Sequence, residues 1–346
     1  MAFPSENTTI LGPRRCAPVP APIGSLAKCI QVYTSTGFFD LNVSDFCHAV
    51  IKLRPDIAVP LADVIPKGRT PTSKKLLRMV DRTDEWVGQF LKELGEDKLH
   101  ELGTSIFAPV LPFELPLQWE YLRRLSEDEV DRLSGLAVYD TKILHELAGY
   151  PQLANLPRLS MDWPNTPQEI LQQVSLGVDL FTLPFLNSVS EAGVALTFTF
   201  PPPSVDQVVL PLGEDLWSTE NKALLSPLVP GCQCYTCSKH HRAFLHHLLN
   251  AGEMLAWNLL QIHNYHVIDA FFAGVRWTLE EANSSFEKNR ADFISSYEPN
   301  LPIGSAGKPR IRGYNFKAVA HQEPPNKPAW NNLADQAQDV EATKDQ

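Results

Sequence analysis

The sequence predicts an α/β protein: a TIM-type (β/α) barrel, complete or incomplete at the N-terminus, followed by a C-terminal helical subdomain. Three observations carry that expectation. Short apolar runs alternate with amphipathic helical stretches between about residues 43 and 181, the rhythm of βαβ units around a parallel sheet. The runs are continuously apolar, as in strands covered on both faces. Beyond residue 232 the alternation stops and helical periodicity takes over.

Taken in order, residues 1–36 read as irregular, with prolines crowded into 17–22. Residues 43–53 read as a helix, Phe46, Val50 and Leu53 recurring at helical spacing behind Ser44 as a candidate cap. The apolar run 57–61 is a strand candidate. Residues 72–94 form a long amphipathic helix with Leu76, Val80, Trp86, Phe90 and Leu94 near one stripe. A strand at 105–110 follows, then a helix at 117–133 whose Arg123, Arg124, Glu127 and Asp128 mark a solvated face. Strands at 135–138, 158–161 and 178–181 alternate with helices at 141–148 and 167–175, the latter capped by Thr166. A sixth strand falls at 194–198. A full barrel needs eight, so the opening strands are either missing or concealed in the Pro-rich start. No Gly-rich phosphate loop follows any strand, which weighs against a doubly wound nucleotide-binding sheet. Helices are expected at 239–261, 265–283 and 285–297, with a turn at Asn264.

The chemistry concentrates in Cys232-Gln-Cys-Tyr-Thr-Cys237. Three thiols within six residues can wrap one small cation, and zinc takes thiolate and imidazole ligands in a tetrahedron. Four protein ligands would leave no place for water, which marks a structural ion and not a catalytic one. The bland alternative is a loop with three buried or reactive thiols. Spacing leaves the fourth ligand open among His240, His241, His246, His247, His263 and His266. His263, at the end of the first expected helix, would return to the knuckle if the next helix packs back. The expected division is an irregular start (1–36), a barrel body (37–228), a helical metal-binding subdomain (229–300) and a mostly disordered tail (301–346).

Composition narrows the function. The 346 residues carry a net charge of −10, a poor match for a chain that grips nucleic acid alone. No run of 18 apolar residues suggests a membrane span, and the first residues lack the basic and apolar blocks of a signal peptide. Cys16, Cys29 and Cys47 are scattered and suggest no disulfide framework. Free thiols beside a thiolate site point to a reducing compartment, hence the cytoplasm.

Several stretches together resemble the tRNA-guanine transglycosylases. These are the cysteine segment, Arg242-Ala-Phe-Leu-His-His247, Ile262-His-Asn264, Gly135-Leu-Ala-Val138, Leu156-Pro-Arg158 and Gly177-Val-Asp-Leu-Phe181. The resemblance runs over about residues 43–300. It implies a (β/α)₈ barrel with a zinc subdomain, one structural Zn²⁺ per subunit held by Cys232, Cys234, Cys237 and His263, and exchange of guanine for queuine at the wobble position of tRNA. It also implies that the chain starts late relative to the family.

The departures from the family are chemical. Where its enzymes carry a nucleophilic Asp, this chain has Thr182, whose hydroxyl would need a strong base and would form a far more stable ether. Asp179 lies three residues earlier, an odd spacing that points it to the other face of a strand. It reads as a polar residue at the barrel rim. The family's basic Pro-Thr-Arg-x-Ala-Arg stretch is here Leu186-Asn-Ser-Val-Ser-Glu191, and Tyr139 fills the place of a base-pocket Gly. The Ser-Gly-Gly-Phe-Gln segment has no counterpart. These losses, and the run Gly193-Val-Ala-Leu-Thr-Phe-Thr-Phe200, resemble the family's non-catalytic eukaryotic subunits. That resemblance implies no catalytic residues here and a heterodimer with a catalytic chain. It further implies tRNA engaged through the complex and, in some organisms, peripheral contact with the mitochondrial outer membrane. Lys288, Arg290, Lys308, Arg310 and Arg312 are either a solvated face and tail or an RNA-contacting patch. An active transglycosylase with a displaced nucleophile, and a zinc scaffold unrelated to tRNA, remain as alternatives.

Overall fold

The structure, a computed structural model, describes residues 7–14, 25–64, 71–203, 209–280 and 285–304. The Pro-rich 17–22 and nearly all of the expected tail lie outside these residues.

A short strand β1 (Ile10–Leu11) is followed by a hairpin, β2 (Cys29–Thr34) and β3 (Gly37–Asn42), paired in antiparallel register. The hairpin leads directly into α1 (Val43–Leu53), capped by the Asn42 side chain accepting from the Asp45 amide and not by Ser44. β4 (Ile57–Ala58), α2 (Ser73–Leu102), β5 (Ser105–Val110), α3 (Leu115–Glu127), β6 (Gly135–Val138), α4 (Pro151–Ala154), β7 (Arg158–Ser160), α5 (Pro167–Ser175) and β8 (Leu180–Phe181) complete the body.

Six strands form one parallel sheet in the order β1-β4-β5-β6-β7-β8. β1 pairs with β4 past the separate β2–β3 hairpin, and each later strand pairs with the one before it, so the sheet curls as half of a (β/α) barrel. One opening strand was concealed in the Pro-rich start: β1 lies among residues read as irregular, and its two residues are too few to show periodicity. Two further differences follow from local chemistry. The run at 194–198 yields β9 (Val194–Leu196), which after α6 (Phe185–Glu191) pairs antiparallel with β10 (Gly213–Asp215) and not with β8. Arg124 is half-buried against Asp84, so only part of the expected solvated face on α3 is solvated.

The helical region also divides differently. After α7 (Tyr235–Lys239), α8 (Arg242–Ala251) ends at Gly252, which takes the left-handed conformation (φ 69°) that closes a helix. α9 (Met254–Glu280) then runs unbroken through Asn264, and α10 (Ser285–Ser296) follows. The break falls at Gly252 because glycine enters that conformation without strain. Asn264 sits in mid-helix with its side chain engaged elsewhere.

Three apolar clusters hold these parts. Phe46 and Val50 of α1, Trp86 and Phe90 of α2 and Leu122 of α3 cover the strands of the half-barrel. Phe198 and Phe200 meet Phe271 of α9 and Phe293 of α10. Leu245 and Leu249 of α8 pack with Leu259 and Leu260 of α9.

Candidate metal centre and the barrel mouth

The knuckle 232–237 is built so that its three sulfurs converge. Cys234 caps α7, its Sγ accepting from the Cys237 amide at 3.3 Å. Thr236 is buried and donates to the Leu259 carbonyl at 2.6 Å, docking the knuckle on α9. One turn further along α9, His263 is fully buried, its Nδ1 lying 3.8, 3.5 and 3.4 Å from the sulfurs of Cys232, Cys234 and Cys237. The four donor atoms all lie within 4.8 Å of one another and could hold a metal ion.

The second ring nitrogen decides the tautomer. His263 Nε2 is 2.9 Å from the Leu196 carbonyl, which can only accept. Nε2 therefore carries the proton, and Nδ1 offers its lone pair to the sulfurs. Burial pushes the His263 pKa down to about 4, keeping the imidazole neutral. Burial likewise raises the Cys234 thiol and pushes Cys237 up to about 12. A divalent cation reverses that preference by holding thiolates.

The neighbouring Asn264 continues the same grip. Its Oδ1 accepts from the Leu196 amide at 2.8 Å, and its Nδ2 donates to the Val194 carbonyl at 3.0 Å and to Ser190 Oγ at 2.9 Å. Two side chains of α9 thus satisfy the edge of β9 that a neighbouring strand would otherwise cover.

The other histidines are engaged elsewhere. His241 caps α8 through Nδ1, and His246 Nδ1 lies 2.9 Å from the Leu216 carbonyl. His247 and His266 are exposed. His240 stacks on Phe244.

At the C-terminal ends of the parallel strands, where barrels of this kind place their chemistry, Thr182 follows β8 and its hydroxyl lies 3.4 Å from the Ser160 carbonyl. Asp179 lies at the opposite end, accepting from the Arg158 amide at 2.8 Å. Tyr139 follows β6 and packs against the body core. The sequence reading missed Arg14, Asp63 and Asp162. Arg14 Nη1 donates to the Ala62 carbonyl at 3.0 Å, and burial lowers its pKa while Tyr139 and Asp63 oppose that. Asp63 is buried and paired with Arg82 at 2.8 Å. The Asp162 carboxylate accepts from the Thr141 hydroxyl at 3.2 Å. Asp63 and Asp162 could have been found from their position just past two strand runs. Arg14 had no such signal, because its strand was not recognised.

The stretch 186–191 is absorbed into packing. Leu186 and Val189 are buried, Asn187 bonds Gln261 at 2.9 Å, and the Glu191 carbonyl accepts from Trp257 Nε1 at 2.9 Å. Arg290 is occupied by Glu287 and Gln172. Lys308, Arg310 and Arg312 lie outside the described residues.

Comparison with known proteins agrees with this arrangement. The family model described as queuine tRNA-ribosyltransferase matches residues 23–299. A Schizosaccharomyces pombe protein named queuine tRNA-ribosyltransferase accessory subunit 2 is 34% identical over 337 residues, covering 95% of this chain and 73% of that protein. Proteins of the same name from Anopheles gambiae and Xenopus laevis are each 28% identical, over 89% and 76% of this chain and 76% and 72% of their own lengths. With its curled parallel sheet and its three cysteines and histidine in one cage, the chain belongs to the queuine tRNA-ribosyltransferase family.

Proposed function

We propose that this chain is the non-catalytic subunit of a heterodimeric queuine tRNA-ribosyltransferase, acting in the cytoplasm. It supports a catalytic partner that exchanges guanine for queuine at the wobble position of tRNA. The observation that carries the reading is Thr182 at the mouth of an otherwise retained framework. A carboxylate can attack the ribose carbon and leave again; a threonine hydroxyl held near a carbonyl cannot. Asp162, at the same end of the sheet, holds the Thr141 amide and hydroxyl through one carboxylate oxygen. Tyr139 and Arg14 occupy the mouth where a base would enter.

The cage supports one structural zinc. Ideal tetrahedral Zn–S and Zn–N bonds place sulfur and nitrogen about 3.6 Å apart, close to the 3.4–3.8 Å separations around His263 Nδ1. Cys232, Cys234, Cys237 and His263 would supply all four ligands. Bound there, zinc would tie the knuckle to α9 and carry out no chemistry.

The contact with the catalytic chain is assigned to the knuckle and the outer side of α9. Tyr235, Leu255, Ile262 and Tyr265 are large, apolar or aromatic, and exposed there. Any contact with the mitochondrial outer membrane would be peripheral, since no described helix is long and apolar enough to cross a membrane.

The test is guanine exchange into substrate tRNA by the purified chain alone and by the chain co-expressed with a catalytic family member. The expected result is no exchange alone, and exchange together with a one-to-one native mass for the pair. Exchange by the chain alone would overturn the reading.

A further inference from the structure

We infer that the outward face of the first turns of α2 binds the phosphodiester backbone of RNA. The inference rests on the functional reading above, which supplies tRNA as the polyanion. Residues 73–82 carry four Lys or Arg against one acid, in a chain whose net charge is −10. Within this stretch Lys74, Lys75 and Arg78 are all exposed. They are spaced three and four residues apart, so they share one side of the helix.

Several other arginines of the described surface come with their own acids: Arg123 with Glu120 and Glu127, Arg132 with Glu129, Arg242 with Glu214, Arg290 with Glu287. Among the described residues, none of Lys74, Lys75 and Arg78 takes part in an ion pair. One turn on, Arg82 extends the row, held in place by Asp63 and the Ser25 and Leu26 carbonyls. Lys28, two residues beyond Leu26, is also exposed.

The first turn of α2 holds no acidic residue, so the cations stand at the positive end of the helix dipole, where they are disfavoured until an anion arrives. A row of unpaired cations along a rigid helix suits a linear polyanion better than a compact anion. Its location fits as well. α2 follows the loop leaving β4, so the row lies at the end of the sheet where Tyr139 and Thr182 are found. The surface would grip tRNA backbone while the partner works on the base.

The experiment uses the intact heterodimer with a catalytic family member and substrate tRNA. Binding is followed by fluorescence anisotropy over a salt series. The triple change Lys74→Gln, Lys75→Gln, Arg78→Gln should weaken tRNA binding about tenfold or more and make the salt dependence shallower by about two to three ions. Native mass should show the pair still formed, and Lys74→Arg, Lys75→Arg, Arg78→Lys should bind like wild type. Unchanged affinity and slope in an intact triple-Gln heterodimer would overturn the proposal. So would a triple-Gln loss confined to anionic vesicles with tRNA binding untouched. If the wild-type chain fails to pair with the catalytic subunit, the functional reading fails instead, a result told apart by mass alone.

Discussion

His263 and Asn264 show how much two adjacent side chains can hold. His263 presents one nitrogen to three sulfurs and the other to β9. Cys234→Ser removes a soft ligand and should release the metal, loosening the knuckle from α9 and destabilising the helical part. Metal content by mass spectrometry and helicity by circular dichroism measure both, and full zinc retention would refute the ligand set. Asn264→Ala leaves the buried Leu196 amide and Val194 carbonyl unpartnered, which should destabilise by about 2–4 kcal/mol even with metal bound; a denaturant titration reads it. The pH response has a definite sign. Burial lowers the His263 pKa from 6.5 to about 4, so the neutral form is favoured in the fold. That stabilisation is complete above the unfolded value and drains as pH falls toward the folded one. Metal-free protein should therefore lose on the order of 2 kcal/mol between about pH 7 and 5, measurable by thermal melts at the two values.

At the scale of elements, the helices and longer strands were legible because each carries a period or a cap. Thr166 caps α5 as its position announced, accepting from the Glu169 amide. The run 135–138 is a buried strand with the expected bounds. What stayed hidden was set by contacts distant in sequence. β1 is two residues long and exists through pairing with β4. The hairpin 29–42 mixes buried and exposed apolar residues, Phe38 and Phe39 facing out, so it shows no clean alternation. Three cysteines at close spacing marked the cage, but the histidine was one among six until the resemblance chose it. The structure places that histidine inside a helix and not at its end. Packing between elements gives a further test. A Cβ on Gly274 of α9 would sit 1.8 Å from the Phe200 carbonyl oxygen, a backbone atom with little room to move. Gly274→Ala should force α9 away from the 198–200 segment and cost about 2–4 kcal/mol, visible as a lowered melting temperature. Ala273→Gly on the exposed side of the same helix should cost no more than about 1 kcal/mol.

At the scale of the whole molecule, overall charge misleads about local surface. A net −10 argued against gripping nucleic acid, yet the unpaired cations of α2 are gathered on one side of one helix. Pairing two chains would let one supply chemistry and the other supply grip. The clamp on β9 has a consequence at this scale. Only His263 and Asn264 occupy that strand's outer edge among the described residues, and an uncovered edge is a template for another chain. Stripping the cation should therefore do more than loosen a knuckle. It should leave the protein prone to stick to its own copies, so chelator-treated samples would grow in light scattering before their helices melt.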